Sequence, residues 1–143
     1  MFIDSNTLLY TFDRLELEKS ESAQRWLRVL ADHRMGVTNL QVLNEVANVA
    51  IRKASRFGKD DPFFRIDAFA RFGTTPVTFE TSIAARAYHA KFRYSWWDCL
   101  LLASAIELGC THFLSEDLQD GRTIEGLTIV DPFAHSPERI LVS

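Results

Sequence analysis

The chain has 143 residues, 47% of them hydrophobic and 24% charged, with a formal net charge of -3 and a pI near 5.8. That length suits one ordinary domain with its own core, and the acidic balance argues against a protein that holds nucleic acid mainly by blanket phosphate neutralisation. No apolar run approaches the roughly 18 residues of a membrane span, no basic-then-apolar leader opens the chain, and Cys99 and Cys110 make neither a metal-ligand spacing nor a disulfide framework. The expectation is a single cytoplasmic domain over residues 1–143, with no membrane partner.

In chain order, Met1 to Ile3 predicts a short strand, and Ser5 or Asn6 a cap for a helix carrying Leu8, Leu9 and Phe12. A second helix is expected from about Ser20, with Trp26, Leu27 and Leu30 as its apolar stripe. Met35 to Val37 reads as a strand. Thr38-Asn39-Leu40-Gln41 then resembles a capping box before Leu40, Leu43, Val46, Ala47 and Ala50, which places Glu45 inside a helix. Arg52 to Asp61 is polar, and Asp61-Pro62 opens an aromatic-rich helix with Phe63, Phe64, Ile66, Phe69 and Phe72. Pro76 to Phe79 reads as a strand, Thr81 to Phe92 as a helix, and Ser95 as the cap of an apolar helix ending at Gly109. Thr111 to Leu114 and Leu127 to Val130 complete the strands, and Asp131-Pro132 stops the last. Strands alternating with helices imply an α/β fold whose parallel sheet is covered on both faces, because parallel strands need crossover connections.

Four acids punctuate this pattern. Asp4 and Asp117 follow strands and Asp98 opens a helix, so these three can reach the crevice beyond the strand ends, and Glu45, on the helix after the second strand, joins them only if that helix packs across the same mouth. Each has a plainer reading: Asp4 as a helix cap, Asp98 as the third residue of a capping box, Glu116, Asp117 and Asp120 as turn residues. Glu45 resists one, since its neighbours are largely apolar. Ionised carboxylates about 4 Å apart repel by roughly 4 kcal/mol at an effective dielectric near 20, so a converging set calls for a cation. Oxygen ligands without paired His or Cys favour Mg²⁺ or Mn²⁺ over zinc, and such ions serve phosphate chemistry.

Phe2-Ile3-Asp4-Ser5-Asn6-Thr7-Leu8-Leu9-Tyr10, Glu45, Trp97-Asp98-Cys99-Leu100-Leu101-Leu102-Ala103-Ser104-Ala105 and Leu114-Ser115-Glu116-Asp117-Leu118-Gln119-Asp120-Gly121 together resemble the PIN-domain nucleases, and within them the VapC-type toxins of bacterial toxin-antitoxin pairs. The likeness runs from Met1 to about Phe133. It implies a three-layer α/β/α sandwich around a central parallel sheet, and a Mg²⁺- or Mn²⁺-dependent endoribonuclease. Such an enzyme hydrolyses single-stranded regions of RNA with metal-activated water, leaving a 5′-phosphate and a 3′-hydroxyl. It further implies Asp4, Glu45, Asp98 and Asp117 as the catalytic, metal-binding acids, with Ser5, Asn6, Ser115 and Asp120 supporting them through hydrogen bonds. The implied partners are an RNA substrate, a cognate antitoxin protein and a second copy of the chain in a homodimer, for which the segment from Phe63 to Phe72 could supply a surface, core burial being the other reading of those rings.

Other features carry competing readings. Trp96 and Trp97 are expected in the core, the alternatives being a base-stacking platform or a wall of an antitoxin groove. Arg52, Lys53, Arg56 and Lys59 form a basic run that either steers RNA or is a solvated face. His33, His89, His112 and His135 show no ligand spacing. The rival functions are a non-catalytic RNA- or protein-binding module with the same groove and, more distantly, a phosphatase of the haloacid-dehalogenase type, which wants an acid where Asn6 stands.

Overall fold

A computed structural model describes residues 1–141. The strands are short and mainly apolar, with His112, Thr123 and Thr128 as their polar residues, because most of their length is buried between helices. β1 (Phe2–Ile3), β2 (His112–Leu114) and β4 (Leu127–Val130) run parallel, and β3 (Thr123–Ile124) closes the edge antiparallel to β4, in the order β1-β2-β4-β3. Phe2 pairs with Phe113 and Ile3 with Leu114, and the two phenyl rings stack at 5.3 Å. The sheet is therefore mixed, with three parallel strands and one antiparallel. The hairpin to β3, unexpected from sequence, turns through Glu125 and Gly126, both at positive φ (50° and 83°), the geometry of a tight two-residue turn.

The strand expected at Met35 to Val37 contracts to one parallel bridge between Val37 and Phe2, held by Ile3 N–H to the Val37 carbonyl (2.8 Å) and Val37 N–H to the Met1 carbonyl (2.9 Å). It stops there because the next residues are engaged elsewhere. Thr38 donates its hydroxyl to the Ile3 carbonyl (3.1 Å), and Asn39 caps the following helix. Pro76 to Phe79 is not a strand either. Thr78 and Thr81 form a reciprocal capping box, so the helix begins at Phe79 despite the β propensity of Val77, Thr78 and Phe79, and the extended contact falls earlier, at the Thr75 bridge to Asn39.

Eight α-helices are assigned among the described residues: α1 (Ser5–Tyr10), α2 (Leu17–Asp32), α3 (Leu40–Arg52), α4 (Ala54–Phe57), α5 (Phe63–Phe69), α6 (Phe79–Phe92), α7 (Trp96–Glu107) and α8 (Pro137–Leu141). Three starts differ from expectation. Asp4 caps α1, as the plainer reading of that acid had it and in place of Ser5 or Asn6; α2 begins before Ser20, whose hydroxyl donates to the Thr11 carbonyl (3.2 Å); and Asn39, accepting from Val42 N–H (3.0 Å), replaces the Thr38 capping box. α7 is buried over seven consecutive residues, Cys99 to Ala105, and links the main core to a smaller apolar cluster shared with Ala85 of α6. Trp26 of α2 is buried and donates its indole N–H to the Pro132 carbonyl (2.8 Å), pinning the segment after β4.

The loop after α1 is tied to α4 by a buried carboxylate. Asp13 accepts from Leu15 N–H (2.9 Å), from Glu16 N–H (3.3 Å) and, in a fork, from Arg56 Nε (3.0 Å) and an Arg56 terminal nitrogen (2.6 Å). Burial would raise its pKa, but the guanidinium and the two backbone donors hold it below the ordinary carboxylate value. Arg56→Ala would strand a buried charge, so it should lower the unfolding free energy by about 2 to 3 kcal/mol in a urea titration. A loss within experimental error would show that this pair does not anchor the loop.

Candidate active site

β1 and β2 are parallel neighbours in matched register, so the residues that follow them emerge side by side at the carboxyl end of the sheet. These are Asp4 and Ser115. From this point the chain leaves β1 toward the Val37 edge and leaves β2 toward β4, which makes it the reversal in strand order where open α/β sheets form their crevice. Asp4 N–H donates to the Leu114 carbonyl (3.1 Å), fixing the acid to the neighbouring strand. Its Oδ1 accepts from Ser5 N–H (2.7 Å) and its Oδ2 from the Ser115 hydroxyl (2.8 Å). Asp4 is thus both helix cap and site residue.

A hydrogen-bonded relay extends outward from this pair. Asn6 Nδ2 donates to Ser115 Oγ (3.2 Å) and to Asp117 Oδ2 (2.8 Å), and Asp117 N–H donates to Ser115 Oγ (3.2 Å). Thr7, fully buried and unforeseen from sequence, holds Asn6 Oδ1 with its hydroxyl (3.2 Å), orienting the amide so that its nitrogen faces the acids. Ser5, Asn6 and Ser115 therefore stand in supporting places around Asp4 and Asp117. Asp120 does not join them: its Oδ1 accepts from Asp131 N–H (2.9 Å) and its Oδ2 pairs with His135 (2.8 Å), so it braces the segment after β4. Those partners hold its pKa below the ordinary value.

Asp98 is the third residue of α7 and donates its N–H to the capping Ser95 hydroxyl (3.1 Å), so the capping reading is correct as local structure. Its carboxyl nevertheless belongs with the others. Burial raises its pKa, the Ser95 hydrogen bond lowers it and the charge of Asp117 raises it. Asp4 is pushed up to about 7, first by burial and then by the charges of Asp98 and Glu45, against the hydrogen bonds from Ser115 and Ser5. Asp4 thus feels the charges of Asp98 and Glu45, and Asp98 that of Asp117. Glu45 stands on α3, where Gln41 one turn earlier donates its Nε2 to both Glu45 Oε1 (3.4 Å) and the Trp97 carbonyl (3.2 Å), joining α3 to the start of α7. Gln41 was legible in principle as the i−4 neighbour of Glu45.

The donor set fits a hard divalent cation. It is all oxygen, and the charges acting on Asp4 are those of other acids, with no lysine or arginine among them. Lys19 is engaged by Glu116, and Arg56 by Asp13. Among the described residues no three His, Cys, Asp or Glu side chains close up enough to enclose an ion by themselves.

Two aromatic and basic features are now placed. Trp97 is 63% exposed, so the expectation of core packing fails for it; Trp96 is half-buried, edge-on to His89 at 6.2 Å. Of the basic run, Arg56 is structural, whereas Arg52, Lys53 and Lys59 are exposed, and Lys53 lines a cavity of about 290 Å³ that shares Asn6 and Asp117 with the site.

A family model described as "PIN domain" matches residues 1–120. A solved structure described as a toxin-antitoxin complex from Klebsiella pneumoniae is similar in fold, with a TM-score of 0.62 and 16% identity, covering 92% of this chain and 96% of that one. No curated protein matches the chain. The model spans all four acids and the supporting residues around them, and the chain belongs to the PIN-domain family.

Proposed function

We propose that this protein is a Mg²⁺- or Mn²⁺-dependent endoribonuclease, the toxin of a toxin-antitoxin pair, which hydrolyses phosphodiester bonds in single-stranded regions of RNA. The observation that carries this reading is the buried Asp4 carboxyl, which feels the charges of Asp98 and Glu45 and has no ion-pair partner among the described residues. PIN domains are in general nucleases, and a fold neighbour comes from a toxin-antitoxin complex. A bound divalent ion would supply charge neutralisation and Lewis-acid polarisation at the scissile phosphate. Asp4 and Asp98 are its first ligands, with Glu45 and Asp117 completing the set directly or through water. Ser115 and Ser5 hold Asp4 with donated hydrogen bonds, and Asn6 keeps Asp117 turned toward the cluster. Because the Ser5 and Ser115 hydroxyls donate to Asp4, water is the nucleophile in this reading.

The partner is, in this proposal, an antitoxin whose Arg or Lys enters the acidic mouth and pairs with its carboxylates. The homodimer and the cytoplasmic location belong to the same proposal. Exposed Phe63 and Phe64 are available to a dimer interface, and two free cysteines suit a reducing compartment. No helix of the described residues is long and apolar enough to cross a membrane.

Purified protein and its Asp98→Asn variant, incubated with total RNA in Mn²⁺ or in EDTA, test the activity. Discrete cuts that require both the metal and Asp98 are expected, with at least a hundredfold loss in the variant. A folded Asp98→Asn protein that cuts like the wild type would remove Asp98 from the machinery.

Electrostatics give an independent check. The folded protein binds a proton at Asp4 that the unfolded chain has released, between pH 3.8 and about 7. The contribution of Asp4 to stability is thus greatest below that window, declines as pH rises through it and levels off above it, by at most about 4 kcal/mol, whereas Asp13 and Asp120 lose theirs as pH falls. Asp4→Asn should therefore raise the metal-free Tm at pH 8 and have little effect below pH 4, and millimolar Mn²⁺ should close the gap by stabilising only the wild type. Equal Tm values at pH 8 without metal would mean that Asp4 is compensated in some other way.

A further inference from the structure

Beside the acidic mouth lies a cavity of about 630 Å³ whose two walls differ in chemistry. One wall is the α3 stripe Gln41, Asn44, Glu45 and Asn48, residues at helical spacing that face the same side. The rest of the lining is apolar: Leu40 on the same helix, with Pro76, Val77, Leu100 and the exposed ring of Trp97. Asn44 and Asn48 are exposed, and their side-chain amides have no protein partner among the described residues. Glu45 belongs both to this cavity and to the acid cluster, and Trp97 directly precedes Asp98. A molecule seated here is therefore contiguous with whatever occupies the mouth.

From this arrangement, and resting on the nuclease reading above, we propose that the cavity is a base-recognition subsite for an unpaired nucleotide next to the scissile phosphate. Trp97 supplies the stacking surface, and the amides of Asn44 and Asn48 read the base edge. A nucleobase has the shape and polarity the cavity asks for: an apolar face for the indole and a rim of donors and acceptors for amides that offer both. The cavity size is that of a small-molecule site. An amphipathic protein helix fits less well, because its apolar face would cover the polar stripe and leave two amides and a carboxylate without partners. The stripe carries no Lys or Arg, so this subsite recognises a base and not a phosphate.

The test separates the subsite from the nuclease activity. In the Asp98→Asn background, fluorescein-labelled RNA hexanucleotides are titrated with protein and read by fluorescence anisotropy, each beside the same hexamer bearing one abasic nucleotide. The base-containing strand is expected to bind about tenfold more tightly, as loss of one aromatic stack predicts. Trp97→Ala should erase that difference, Trp97→Phe should retain most of it, and Asn48→Ala should change which homo-oligomer binds best. With Asp98 intact, Trp97→Ala should raise KM about tenfold, more than it lowers kcat. A Trp97→Ala enzyme that still cuts RNA with wild-type KM and keeps its preference for the complete strand would overturn the subsite while leaving the nuclease standing, and would assign the groove to a protein partner. A metal-loaded wild type that neither cuts nor binds the hexamers would overturn both.

Discussion

A carboxylate buried without a cation is the constraint on which the site depends. Asp4 is held by hydrogen bonds from Ser5 and Ser115 at the end of β1, yet burial and two neighbouring acids favour its protonated form. Asp13, only a few residues on, is equally hidden from solvent and has the opposite fate, because Arg56 meets it with a forked guanidinium. One aspartate finishes a structural connection; the other leaves a charge deficit. A protein gains nothing in stability from the second arrangement, since an unpaired buried charge costs more than a neutral side chain would. In the proposed function that deficit is what a divalent cation would offset.

The framework that maintains this arrangement is rigid. Parallel register between β1 and β2 sets Asp4 against Ser115, and backbone hydrogen bonds to Leu114 and Val130 fix both at their Cα positions. Thr7 then fixes Asn6, and Asn6 fixes Asp117. On the opposite side, α7 is buried along most of its length, so Asp98 projects from an element that cannot easily shift, and Gln41 ties that helix start to α3. Sites built on strand ends and helix termini hold their geometry better than sites on free loops. The exposed residues Trp97, Asn44, Asn48 and Lys53 lie outward of this framework, where contact with a polymer substrate would occur.

Most of the fold was legible in the sequence because its signals are local. Apolar runs of two to four residues mark β1, β2 and β4, helical periodicity marks α2 and α3, and Ser95 announces α7. The errors arose where two local signals competed and a distant contact decided between them. Val77-Thr78-Phe79 has strand composition, but the Thr78 and Thr81 box starts a helix; Met35 to Val37 has strand composition, but Thr38 and Asn39 are already committed to Ile3 and α3. β3 escaped notice because two residues at a sheet edge leave no periodicity to read.

For the site, the sequence by itself determined which acids stand at strand ends and helix starts, since those positions follow from strand length and cap chemistry. Only the tertiary structure decided what each acid meets. It set Asp120 against Asp131 and His135, Asp13 against Arg56, and Asp4 against other carboxyls, although all three are ordinary aspartates in the sequence. It also left Trp97 on the surface while Trp26 went to the core. The physical reason is that charge state and exposure are set by neighbours in space, and here those neighbours come from segments up to 111 residues away along the chain, where no local pattern records them.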